Sequence, residues 1–207
     1  MIKNINFQAA HFLLSVATLE QLPPDEGNEV AIIGRSNAGK SSVLNQLTQN
    51  KTLARVSKTP GRTQLINLFG LGDQKRIADL PGYGYAKVPD AIKKKWQRLL
   101  DDYLQTRECL SGLLLIMDIR HPLKEFDQQM LAWAEEAALP VHILLNKADK
   151  LTQNHATNTL RAVKEALKAT EAVSVQTFSA MKGTGIKELK ELLNIWFSSE
   201  REIKIHS

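Results

Sequence analysis

The residues best equipped for chemistry stand in short stretches that carry glycine, lysine, a hydroxyl or a carboxylate at fixed spacing. Gly34-Arg35-Ser36-Asn37-Ala38-Gly39-Lys40-Ser41 has the spacing G-x-x-x-x-G-K-[ST], set between an apolar run, Val30 to Ile33, and a helix-forming stretch. Glycines let backbone wrap a phosphate chain closely, the amides and the helix amino terminus add partial positive charge, and Lys40 adds a full one. The Ser41 hydroxyl is then placed to ligate Mg²⁺. Four specified positions recur by chance in a chain of this length on the order of 1% of the time, so an ordinary glycine turn is the weaker reading.

A second stretch, Asp79-Leu80-Pro81-Gly82, leaves another apolar run. Alone it is too short to mean anything, but after a phosphate loop Asp79 becomes the carboxylate that holds Mg²⁺ through water, and the Gly82 amide a donor to a γ-phosphate. Between the two, Thr59-Pro60-Gly61-Arg62-Thr63 places a hydroxyl, that of Thr63, to complete the metal shell when a third phosphate is present; otherwise it is a turn. A third stretch, Asn146-Lys147-Ala148-Asp149, follows the run Val141 to Leu145. The Asp149 carboxylate can accept both the N1 and N2 hydrogens of guanine, whereas adenine offers neither and would leave a buried charge unpaired, a difference on the order of 10⁴-fold. Lys147 can lay its stem over the base, Asn146 can tie this loop to the phosphate loop, and Phe178-Ser179-Ala180 can offer the Ala180 amide to the guanine O6. The set expected to contact GTP or GDP is Gly34, Arg35, Ser36, Asn37, Ala38, Gly39, Lys40 and Ser41, then Gly61, Arg62, Thr63, Gln64 and Leu65, then Asp79, Leu80, Pro81 and Gly82, then Asn146, Lys147, Ala148 and Asp149, with Phe178, Ser179 and Ala180.

These stretches, in this order, resemble the G-motifs of translation-factor-related GTPases. Pro60-Gly61-Arg62-Thr63 together with Asp79-Leu80-Pro81-Gly82-Tyr83-Gly84-Tyr85-Ala86 resembles more closely the EngB family, also called YihA or YsxC, within the TrmE-Era-EngA-EngB-Septin-like P-loop GTPases. The resemblance implies a bacterial, cytoplasmic GTPase that assists late assembly of the large (50S) ribosomal subunit and whose depletion affects cell division and septation. Many small GTPases carry a water-orienting glutamine after Asp-x-x-Gly; here the residue is Tyr83. A phenol with an ordinary pKa of about 10 is no general base at neutral pH, so hydrolysis is expected to be slow and to depend on Lys40, Thr63, the Gly82 amide and Asn37. Related GTPases with Gly-x-x-Asn-x-Gly-Lys-Ser use the asparagine to help bind K⁺, which makes K⁺ stimulation one expectation for Asn37 and a rigid loop the other.

These loops need a scaffold that brings them to one place. Apolar runs at 30–33, 65–71, 76–80, 113–118, 141–146 and 173–178 predict strands, and helical periodicity predicts helices over 40–48, 91–106, 124–136, 152–169 and 186–197. Strands without clean alternation are covered on both faces, and crossovers of this length favour parallel pairing. The expected fold is an α/β domain with a doubly wound, mostly parallel sheet and helices on both faces, its ligand beyond the carboxyl ends of the strands. A chain of 207 residues suits one such domain at 29–200, with an extension, 1–28, packing on it and a tail, 201–207.

Net charge is +5, but between Lys51 and Arg98 eleven basic side chains face three acidic ones. That segment, with Lys93, Lys94, Lys95 and Arg98 at its end, is either a phosphate-facing surface for a large-subunit precursor, rRNA and ribosomal proteins included, or a solvated face. The apolar stretches are shorter than the roughly 20 residues that span a bilayer, no membrane partner is expected, and a monomer is the simplest state. Phe12 to Leu19 has some signal-peptide character, but His11 interrupts it and Glu20 follows without a small-residue cleavage site. A small-metabolite kinase would share Gly34 to Ser41 but leaves Asn146 to Asp149 unexplained; a nucleotide-gated structural factor with no need of turnover fits the same residues.

Overall fold

The computed structural model describes residues 4–54, 65–83, 90–168, 170 and 172–198, with side chains omitted at 90–93, 95 and 96. Gly61, Arg62, Thr63, Gln64, Gly84 to Lys87, the tail 201–207 and the side chains of Lys93 and Lys95 lie outside the described residues.

Each apolar run becomes a strand. In chain order the elements are β1 (His11–Val16), β2 (Asn28–Gly34), α1 (Lys40–Thr48), β3 (Ile66–Gly70), β4 (Lys75–Asp79), α2 (Asp90–Thr106), β5 (Leu110–Asp118), α3 (Glu125–Glu136), β6 (Val141–Asn146), α4 (Gln153–Ala166), β7 (Val173–Thr177) and α5 (Ile186–Trp196). They form one sheet of order β1-β3-β4-β2-β5-β6-β7. Pairings of β2 with β4 and β5, of β5 with β6 and of β6 with β7 are parallel, so five strands end at the same edge. The pairs β1–β3 and β3–β4 are antiparallel.

β2 shows why alternation is missing from the sequence. Ala31 and Ile33 join the core beneath α2, α3 and α4, while Val30 and Ile32 join the core beneath α1 and α5. Both faces are covered, so Val30 to Ile33 is apolar at every position. Against the second face Trp196 lies flat on β5, where Gly112 leaves the space; a Cβ there would sit 2.5 Å from the indole.

One strand departs from the expected set. Residues 11–16, within the segment expected as an extension, form the edge strand of the same sheet. Only Val16 is buried along β1, and Phe12 is 53% exposed. A strand that covers little has little reason to be patterned, and periodicity passes over it. The amino end of the sheet is closed by a buried polar cluster. Glu29, fully buried, accepts from Tyr103 Oη (2.5 Å), Arg107 Nε (3.1 Å) and Nη2 (3.1 Å), and Arg76 Nε (3.0 Å). The two arginines reach on to the carbonyls of Pro23, Pro24 and Glu26, and Asp25 accepts from the amides of Glu108 and Cys109, which fastens the 23–26 turn to the sheet.

Candidate functional site

The expected motif residues that lie among the described ones gather at the carboxyl edge, at the exits of β2, β4, β6 and β7, with Leu65 at the entry to the antiparallel β3. β2 ends at Gly34, where a Cβ would meet the Ile116 carbonyl at 2.3 Å. The next residues turn tightly: Asn37 has φ 64° and Gly39 φ 103°, and the Ala38 amide donates to the Arg35 carbonyl at 2.9 Å. A side chain at Gly39 would both strain that φ and reach within 2.4 Å of Asn146 Nδ2. α1 then starts at Lys40 with no side-chain cap, which leaves first-turn amides for an anion. Lys40 Nζ lies 3.0 Å from Asp79 Oδ1, an ion pair with both side chains largely buried. The same oxygen, although ion-paired, has no hydrogen-bond partner among the described residues.

Beyond Asp79 the chain crosses directly beneath the phosphate loop. The Tyr83 amide donates to the Gly34 carbonyl at 3.3 Å, and the Ser36 amide donates to the Tyr83 carbonyl at 2.7 Å. A Cβ on Gly82 would stand 3.2 Å from the Gly34 carbonyl and 3.8 Å from Lys40 Cε. Leu80 is fully buried in the core, so only its backbone can face a ligand. Tyr83 is also fully buried; its hydroxyl donates to Asp127 Oδ1 at 2.5 Å and its ring stacks on Phe126. Burial, with the Asp127 charge beside it, pushes the phenol far above its ordinary range.

At the exit of β6, Asn146 is held from two sides. Its Nδ2 donates to the Ala38 carbonyl at 2.8 Å, and its Oδ1 accepts from the Ala180 amide at 3.2 Å. The Ala180 amide, expected to face a base, is thus already engaged by Asn146. The Phe178 side chain is fully buried in the core, and its carbonyl accepts from the Ala148 amide at 3.0 Å. Lys147 spans the cleft, donating to the Asn37 carbonyl at 2.6 Å. Asp149 Oδ1 accepts from Ser179 Oγ at 2.6 Å, and Ser179 Oγ accepts from the Lys182 amide at 3.1 Å. The Ser179 hydrogen bond, ahead of smaller contributions from neighbouring charge, holds the Asp149 carboxyl below its ordinary pKa. An open cleft of about 570 Å³ runs past these residues, lined by Gly39, Asn146, Lys147, Asp149, Ala180 and Met181 among others.

One participant escaped the sequence reading. Asp118, at the end of β5, accepts from Arg120 Nε (2.9 Å) and Nη2 (2.7 Å) and lies 3.0 Å from Lys147 Nζ. The Arg120 hydrogen bond first, then that of Lys147, depress its pKa strongly. The available signal was a carboxylate closing an otherwise apolar strand at the edge where ligands bind.

The family model described as "50S ribosome-binding GTPase" matches residues 29–147. The probable GTP-binding protein EngB of Coxiella burnetii (strain CbuK_Q154) is 55% identical over 195 residues, covering 94% of this chain and 95% of that protein. Its counterpart from Escherichia coli O1:K1 / APEC is 52% identical over 204 residues, covering 98% and 95%. The chain belongs to the EngB family of GTP-binding proteins. Its fold agrees: a crystal structure of a probable GTP-binding protein EngB superposes with TM-score 0.66 at 21% identity, covering 82% of this chain and 98% of that one. Era in complex with MgGDPNP and nucleotides 1506–1542 of 16S ribosomal RNA superposes with TM-score 0.63 at 24% identity, covering 83% and 57%. This EngB family member is a GTPase of the P-loop fold, with the doubly wound, mostly parallel sheet expected of one. No helix among the described residues is long and apolar enough to cross a membrane.

Proposed function

We propose that this EngB family member is a guanine-nucleotide switch that hydrolyses GTP slowly and assists assembly of the large ribosomal subunit in the cytoplasm, with division and septation depending on that supply. The observation that carries the nucleotide reading is Asp149, a carboxylate 6% exposed at its side chain, oriented by Ser179 and set across the cleft from the amides that precede Lys40. Both guanine N–H groups would find a charged acceptor there, while the phosphates replace Asp79 as the partner of Lys40. Asn146 and Lys147 keep the base loop and the phosphate loop in one register.

Mg²⁺, when bound, neutralises charge on the β- and γ-phosphoryl oxygens. Ser41 Oγ would hold it directly and Asp79 through water, once the phosphates draw Lys40 away from the buried Asp79 Oδ1. The described residues contain no cluster of three His, Cys, Asp or Glu, which fits an ion that takes its other ligands from phosphates and water. Thr63 would complete the shell. Gly82, at the phosphate loop, would donate its amide to the γ-phosphate, and Asn37 would serve K⁺ or simply stiffen its loop; equal turnover in potassium and sodium buffers would decide for stiffness.

Ribosome binding is supported by the family description and by the basic stretch from Lys51 to Arg98, whose Lys51 and Lys94 are exposed. The test is sedimentation of purified protein with large-subunit precursors in the presence of GDP or a non-hydrolysable GTP analogue. Salt-sensitive co-sedimentation with the analogue, reduced by charge reversal at Lys93, Lys94, Lys95 and Arg98, is expected. Equal binding in both nucleotide states would refute the switch, and growth supported by a variant that binds but cannot hydrolyse GTP would favour a purely structural factor.

A further inference from the structure

We infer that Tyr83 and Asp127 are positioning residues for GTP hydrolysis, a hydrogen-bonded pair that anchors the Gly82 backbone to the start of α3. The inference rests on reading the cleft as the GTP site. Three backbone bonds hold the segment before and after Gly82: Leu80 N to Ile32 O at 2.9 Å, Tyr83 N to Gly34 O at 3.3 Å and Ser36 N to Tyr83 O at 2.7 Å. All three bind it to β2 and the phosphate loop. The fourth restraint comes from elsewhere. Tyr83 Oη donates to Asp127 Oδ1 at 2.5 Å, and Asp127 Oδ2 accepts from the Lys124 amide at 2.9 Å, which fixes the carboxylate at the amino end of α3. The Tyr83 ring stacks on Phe126 with centroids 5.0 Å apart and planes at 21°.

The side chains of the pair therefore sit outside the cleft, and they reach it through the Tyr83 backbone, which is joined to Gly82 by one peptide and hydrogen-bonded to Gly34 and Ser36. Tyr83 and Asp127 are both fully buried, so the hydroxyl touches neither bulk water nor the cleft, and the residue next to Gly82 is turned away from the phosphates. Its effect on the reaction is to hold the Gly82 amide within donating distance of where a γ-phosphate oxygen would be. Displacement of a catalytic group by about 1 Å costs on the order of 10²-fold in rate, whereas ground-state binding of GDP, which has no γ-phosphate, does not use that amide. Because the anchor is one hydrogen bond, removing either end has the same consequence, and removing both adds little.

The experiment compares wild type with Tyr83→Phe, Asp127→Asn, the double variant and Phe126→Leu. Single-turnover GTP hydrolysis and GDP affinity are measured well below each variant's unfolding temperature. Tyr83→Phe keeps the stacked ring and Phe126→Leu keeps the hydrogen bond, so at least one folded variant probes each restraint. Expected is a fall of about 10- to 100-fold in rate for either polar variant, no further fall in the double, GDP affinity within threefold, and a pH–rate profile of unchanged shape. Rates within twofold of wild type, rates that fall only in proportion to GDP affinity, or loss of one limb of the pH profile in Tyr83→Phe would each overturn the inference. If wild type itself failed to hold guanine nucleotide, the reading of the cleft would fall; if wild type held it and the variants hydrolysed normally, only the anchor would.

Discussion

Glu29→Gln removes the centre of the buried cluster at the amino end of the sheet while keeping its size. The carboxylate, fully buried, accepts four hydrogen bonds, two on each oxygen: Tyr103 and Arg107 Nε on one, Arg76 and Arg107 Nη2 on the other. A carboxamide must turn its NH₂ toward one of these pairs, so two donors then face a donor and both guanidinium groups lose their buried counter-charge. Arg107 keeps only the more distant Asp25, at 3.6 Å. Breaking one side of a buried charge cluster costs about 3–5 kcal/mol, a large share of a total stability of about 5–15 kcal/mol. At about 2–4 °C per kcal/mol for a domain of this size, Tm should fall by roughly 6–20 °C. Calorimetric or circular-dichroism melts read that directly, with urea midpoints as a second measure. GDP affinity should stay within threefold, because the cluster lies five residues before Gly34 on β2, roughly 17 Å away. A Tm loss below about 3 °C would mean that desolvation of the three charges already cancels their attraction, and the cluster would not be what fastens the 23–26 turn.

Asp118→Ala should lower GDP affinity about tenfold, or about 1.4 kcal/mol, by releasing Lys147 from its 3.0 Å partner; an unchanged equilibrium titration would show that the Asn37 carbonyl alone suffices. Burial first, then the Glu29 charge, push the Cys109 thiol up to about 12, so alkylation of native protein at pH 8 should be slow and should accelerate with urea in step with unfolding. Labelling at the rate of a small free thiol would contradict this. Burial lowers the pKa of His142, whose ring nitrogens lie 2.7 Å from Ser174 Oγ and 2.9 Å from Gln176 Oε1. The unfolded chain therefore takes up this proton first, and the stability it confers is present above about pH 6.5 and lost as pH falls toward the folded value. Urea unfolding of wild type should weaken between pH 7 and 5 more than that of His142→Gln; parallel curves would refute it.

The legible parts of the molecule were those governed by local chemistry. β2, β5 and β6 are covered on both faces, so their apolar runs are continuous, and the exits of β2, β4 and β6 carry glycine, carboxylate and asparagine at spacings few other structures need. β1 was not legible, since an edge strand with one buried residue has no reason to be patterned. Nor was the Glu29 cluster, whose partners lie 47 to 78 positions away and meet only after the sheet has formed. Nor does anything in the neighbours of Tyr83 say that Asp127, 44 residues on, holds it. Phe178 and Leu80 show the converse: a binding motif can spend its side chains on the core and offer only backbone to a ligand.

Calorimetric titration of the purified protein with GDP and ADP, repeated for Asp149→Asn with GDP and xanthosine diphosphate, tests the central claim most directly. Wild type should prefer GDP to ADP by on the order of 10⁴-fold, and Asp149→Asn should bind the xanthine nucleotide more tightly than GDP. ADP held as tightly as GDP by the wild-type protein would contradict it.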